Sequence, residues 1–217
     1  MQSRCTEITA LSKVKTSPPF WSFFGPPVDV FVGLAIRARM PLLTIVPPMP
    51  GAERRFKPFV DFVHKAGWET EFVRLEWNGE QPNFDSTALF SQVDLQTADK
   101  IVMGYSLGAL YAHLGALRAS HLILGSISPF FLEDDDEPQR WMISYRAGNA
   151  HTPADILVGA KEDEQMHRRA TAVRDFYRQH TYTNVLGAEH ELWHPNYLKA
   201  VATALDRVKA RSAKPAA

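Results

Sequence analysis

The chain has 217 residues, 45% of them hydrophobic, with 24 basic and 24 acidic side chains. That length supports one domain with a sizeable core rather than two, and the balanced charge argues against a nucleic-acid-binding face or a polybasic membrane patch. A lone cysteine, Cys5, excludes an intramolecular disulfide and fits a reducing, cytoplasmic compartment.

Along the chain, residues 1–39 show no clear periodicity and are expected to be an N-terminal extension that the fold does not need. Their most apolar stretch, 20–36, is broken by Gly25, Pro26, Pro27 and Asp29. It falls short of the roughly 18 apolar residues of a membrane span and lacks the compact apolar region of a signal peptide. From Met40 a strand–helix rhythm begins. Residues 42–46 form an apolar run closed by Pro47 and Pro48, a buried strand. Phe56, Phe59, Val60 and Val63 recur at helical spacing within 53–66, and Gly67 ends that helix. Residues 70–77 alternate as a strand, and 85–93 carry a weaker helical pattern. A strand over 100–103 leads into Gly104, followed by an Ala- and Leu-rich helix over 107–118. Strands over 121–124 and 155–158 each stop at a glycine, Gly125 and Gly159. A helix over 164–180, a strand over 182–186 and a final helix over 195–210, opened by Pro195, complete the domain, leaving 211–217 as a tail. Residues 126–153 interrupt the rhythm. They hold an acidic run from 133 to 137, read as a solvated loop, and four aromatics, Phe130, Phe131, Trp141 and Tyr145, which either cover the crevice as a small lid or pack at the core edge.

Six strands separated mostly by helices predict an α/β fold: a doubly wound, mainly parallel sheet with helices on both faces. Right-handed crossovers give the strand order 2-1-3-4-5-6. The crevice of such a sheet lies at the carboxyl ends of the strands where the order reverses, between the strand ending at Val46 and the one ending at Met103.

At that point stands Gly104-Tyr105-Ser106-Leu107-Gly108, a G-x-S-x-G match set between a strand and a helix. The turn between the two is so sharp that its flanking positions exclude a side chain, and the serine is left strained and exposed at the sheet edge. Residues 101–109 resemble the nucleophile elbow of the α/β-hydrolases, and the likeness extends over about 41–208. The resemblance implies a serine hydrolase, without cofactor, acting on a small-molecule acyl substrate through an acyl-enzyme. Its triad follows the chain order nucleophile, acid, histidine.

Ser106 is then the nucleophile. His190, in the turn Gly-Ala-Glu-His between the last strand and the last helix, is the base that takes the serine proton. The acid falls in Gly159-Ala160-Lys161-Glu162-Asp163-Glu164. Glu162 stands three residues after the glycine, where the family often places it. Asp163 is preferred, because Asp163-Glu164-Gln165-Met166 looks like the family's Asp-x-x-apolar pattern and a shorter side chain loses less rotamer freedom. The resemblance also implies an oxyanion hole of two backbone N–H groups. Leu107 supplies one. The loop Pro47-Pro48-Met49-Pro50-Gly51 departs from the family's His-Gly-x residues, and because proline has no N–H, Met49 is its only donor before Gly51.

Two other readings compete. A protein of this fold can bind a ligand without catalysis. The run His190-Glu191-Leu192-Trp193-His194 matches H-E-x-x-H, a zinc-protease pattern that works only on a helix. Pro195 biases His194 away from helical geometry, so no metal is expected there.

Overall fold

The computed structural model describes residues 40–76, 87–129 and 148–212. The expectations placed on 1–39, on Trp77, on 85–86, on the acidic run and the four aromatics of 130–147, and on 213–217 lie outside the described residues.

The strands are β1 (Leu42–Val46), β2 (Glu69–Phe72), β3 (Ile101–Tyr105), β4 (His121–Gly125), β5 (Ala154–Gly159) and β6 (His180–Val185). They form one six-stranded sheet in the order β2-β1-β3-β4-β5-β6. Every neighbouring pair is parallel. This is the expected order, with β1 and β3 side by side at the reversal and Val46 level with Gly104.

The helices are α1 (Lys57–Lys65), entered through a 3-10 turn (Ala52–Phe56), α2 (Thr87–Thr97), α3 (Leu107–Gly115), α4 (Glu164–Phe176) and α5 (Pro195–Ser212). Two apolar clusters explain the layers. Val46, Val102, Leu122, Leu124, Ile156 and Val158 pack with Leu110 of α3, Val93 of α2 and Val173 of α4. Leu43, Ile45, Met103, Ile123 and Leu157 point the other way, onto Phe59 and Val63 of α1 and Tyr197, Val201 and Leu205 of α5. Alternate residues of β1, β3, β4 and β5 thus bury themselves on opposite faces, and the near-continuous apolar runs of these inner strands follow from burial on both sides.

Several boundaries differ from the sequence pattern: α2 runs to Thr97 rather than 93, α3 stops at Gly115 rather than 118, and the shifts in β2, α4 and β6 have identifiable reasons. Strand β2 ends at Phe72 rather than 77. The Val73 N–H still reaches Ile45 O at 2.9 Å, but beyond Val46 the neighbouring strand runs into two prolines that have no N–H. Side-chain amides of α2 take over: Gln96 exchanges bonds with the backbone of Arg74 at 2.8 and 2.9 Å, and Gln92 with that of Glu76 at 2.9 and 3.1 Å. Helix α4 stops at Phe176 rather than 180 because Tyr177 turns extended and is buried. Strand β6 then starts at His180, two residues early, in register with Ala154.

Candidate active site

Ser106 sits between β3 and α3 with φ 55° and ψ −123°, a conformation costly for a residue with a side chain. The backbone leaves no space on either side. A Cβ on Gly104 would lie 2.2 Å from Gly108 O, and one on Gly108 would lie 2.2 Å from Val46 O. The Ser106 N–H donates to Gly125 O at 2.9 Å, which ties the turn to the end of β4.

Facing it is His190, whose Nε2 lies 2.9 Å from Ser106 Oγ. The imidazole is about half exposed and rests on the ring of Tyr105, centroids 5.2 Å apart. The loop after β6 is pinned to the loop after β5. The Lys161 N–H donates to Ala188 O at 2.9 Å, and a Cβ on Gly159 would meet Glu189 O at 2.6 Å. Glycine at 159 is therefore what lets the histidine loop approach.

The carboxylate that meets His190 belongs to Glu162. Its Oε2 lies 3.2 Å from His190 Nδ1, and its side chain is 1% exposed. Its Oε1 accepts from the Gly159 N–H at 2.9 Å and from the Ser126 hydroxyl. Burial pushes the Glu162 pKa up, but the hydrogen bonds from His190, Ser126 and Gly159 outweigh it and hold the group below the ordinary glutamate range.

Asp163, the preferred candidate from the sequence, makes a different contact. Asp163 occupies the N-cap of α4 in extended conformation, and its Oδ1 accepts from the Met166 N–H at 2.8 Å. The Asp-x-x-Met spacing that looked like an active-site pattern is that of a helix cap bonding its third helical residue. The extra methylene of Glu162 supplies the reach to His190 from the turn closed by its own N–H onto Gly159 O.

Of the two backbone groups expected at the oxyanion, Leu107 opens α3, so its N–H has no acceptor within the helix. Met49 lies in the turn after β1, where its carbonyl accepts from the Ala52 N–H at 3.2 Å. The His190–His194 run lies in turns ahead of α5, not on a helix. His190 faces Ser106, while His194 Nδ1 accepts from the Asn196 N–H at 3.2 Å.

Sequence reasoning missed Ser126 and Tyr197. Ser126, directly after β4, is fully buried at φ 45°, and its Oγ lies 2.8 Å from the Tyr197 hydroxyl. Apart from its place after a strand-ending glycine, no local signal marks it.

Solved structures share this arrangement of sheet and helices. Est1E from Butyrivibrio proteoclasticus is similar over 80% of this chain and 88% of its own, with a TM-score of 0.57 and 16% identity. An α/β-hydrolase enzyme from the metagenome of lagoon sediments at Mar Chica, Morocco, is similar over 80% and 92%, with a TM-score of 0.57 and 15% identity. The chain has the α/β-hydrolase fold. A monoacylglycerol lipase from Paleococcus ferrophilus has the same fold, with a TM-score of 0.52 and 14% identity over 78% of this chain and 95% of its own. No family model and no curated protein matches the sequence.

Within this α/β-hydrolase fold, Ser106 stands at the carboxyl end of β3, on the rim where β1 and β3 part. Beside His190 a cavity of about 400 Å³ opens, lined among others by Ser128, Pro129, Lys161 and Met166. That volume is in the range of small-molecule sites.

Proposed function

We propose that this protein is a serine hydrolase that cleaves a small ester, thioester or amide through an acyl-enzyme, with Ser106, His190 and Glu162 as its triad. The observation that carries this reading is the unbroken line of contacts from Glu162 Oε2 through both nitrogens of His190 to Ser106 Oγ. Ser106 attacks the acyl carbon as His190 Nε2 takes its proton. Glu162 fixes the tautomer with the proton on Nδ1 and stabilises the imidazolium. The proton then passes from Nε2 to the leaving group, and water repeats the sequence on the acyl-enzyme. The N–H groups of Leu107 and Met49 are assigned to the oxyanion of the tetrahedral intermediate.

The test is hydrolysis of p-nitrophenyl acetate by the wild type and by Ser106→Ala. Loss of the nucleophile leaves only binding and the oxyanion hole, roughly 10³–10⁴ over water. Full turnover in a folded Ser106→Ala variant would refute the assignment.

A further inference from the structure

The acid of this site poses a mechanical problem. A glutamate arm has one more rotatable bond than aspartate and more freedom to lose when held against an imidazole. Its surroundings remove that freedom. Oε1 is held by the Gly159 N–H and the Ser126 hydroxyl, which leaves Oε2 for His190. An ionised carboxylate only accepts, so the Ser126 proton must point to Glu162. Between Ser126 and Tyr197 the proton therefore comes from the tyrosine. Tyr197 donates to Ser126 Oγ at 2.8 Å, and its oxygen also lies 3.2 Å from Leu157 O. Burial holds the Tyr197 pKa well above its ordinary value and keeps it a donor.

The fold maintains this chain of groups at a cost. Ser126 is a non-glycine residue at φ 45° with no measurable exposure, and such backbone is unfavourable unless its surroundings enforce it. Its own N–H bonds Leu157 O at 2.7 Å. Gly125, just before it, carries no side chain where a Cβ would lie 2.9 Å from the Tyr197 hydroxyl. If space and backbone ease alone mattered, glycine would suit position 126 better than serine.

We propose that Ser126, oriented by Tyr197, is a positioning residue that fixes the Glu162 carboxylate on His190. The inference rests on the triad reading above. It assigns Ser126 no contact with the reacting atoms; its effect passes through Glu162.

The decisive variant is Ser126→Gly, which removes the hydroxyl and relaxes the positive φ together. This variant is expected to keep the fold with a lower thermal midpoint, because the relaxed backbone offsets only part of the lost bond to a buried carboxylate. Its rate of covalent labelling by a fluorophosphonate, and its kcat for p-nitrophenyl acetate, are expected to fall about tenfold or more, as for loss of a hydrogen bond to a charged group, with KM little changed. In a Glu162→Gln background, followed over hours with excess probe, the same substitution should change the labelling rate less than twofold, because its target is already gone. Wild-type rates in Ser126→Gly would overturn the proposal. So would an equal fractional loss in both backgrounds, which a merely structural role gives. Failure of the triad reading shows differently: the wild type itself would not be labelled at Ser106.

Discussion

Glu162 is a buried charge, and its ionisation is tied to folding. Its pKa is depressed in the folded chain, so it binds its proton less readily there than in the unfolded chain. A depressed carboxylate adds stability that is present above its unfolded pKa, about 4.3, and is lost as pH falls through the lower folded value. Urea melts of wild type and Glu162→Gln should therefore differ most near neutrality and converge as pH drops below about 4; a gap that widens on acidification would contradict the assignment. The neighbouring amides separate roles. Glu162→Gln presents an amide to His190, favours the wrong tautomer and should cost about 10⁴ in kcat. Asp163→Asn, one residue along, should stay within a few-fold of wild type in the same ester assay. The opposite ranking would return the acid to Asp163.

At the scale of elements, Asp163 has a different duty. It caps α4 through Met166 N–H, so Asp163→Ala should destabilise the protein by about 1 kcal/mol, read as a lower denaturation midpoint, with kcat nearly kept. The same residue shows where sequence reading reaches its limit. The six strands and their order were legible because short apolar or alternating runs take turns with helical patterns along the chain, with breaks such as Val46–Pro47. The elbow was legible because two glycines and a serine carry its steric constraint in five residues. His190 was legible from its place after the last strand. Which of Glu162 and Asp163 meets His190 was not, since one carboxylate stands three residues after Gly159 and the other three residues before Met166. Ser126 was illegible for a deeper reason. Its partners, Glu162 and Tyr197, are 36 and 71 residues away, and only the assembled sheet brings them together. The ends of β2 and α4 depended likewise on distant groups, the prolines after β1 and the register of β6 on β5.

For the whole molecule, the sheet acts as the rigid body on which three loops meet. The elbow follows β3, the acid turn follows β5 and the histidine turn follows β6, all at the carboxyl edge. Backbone bonds join them: Ser106 N–H to Gly125 O, Ser126 N–H to Leu157 O, and Lys161 N–H to Ala188 O. On the proposed reading, these bonds hold the triad in place before substrate arrives, which is the condition for catalysis by preorganised groups. Among the described residues no helix is long and apolar enough to cross a membrane. On the same proposed reading, Ser106 is an activated nucleophile. The most direct test is incubation of the full chain with a fluorophosphonate, followed by intact mass measurement and peptide mapping. A single adduct is expected on Ser106, abolished in Ser106→Ala and strongly slowed in folded His190→Ala. An unmodified wild-type chain, or an adduct on another residue with Ser106 free, would contradict it.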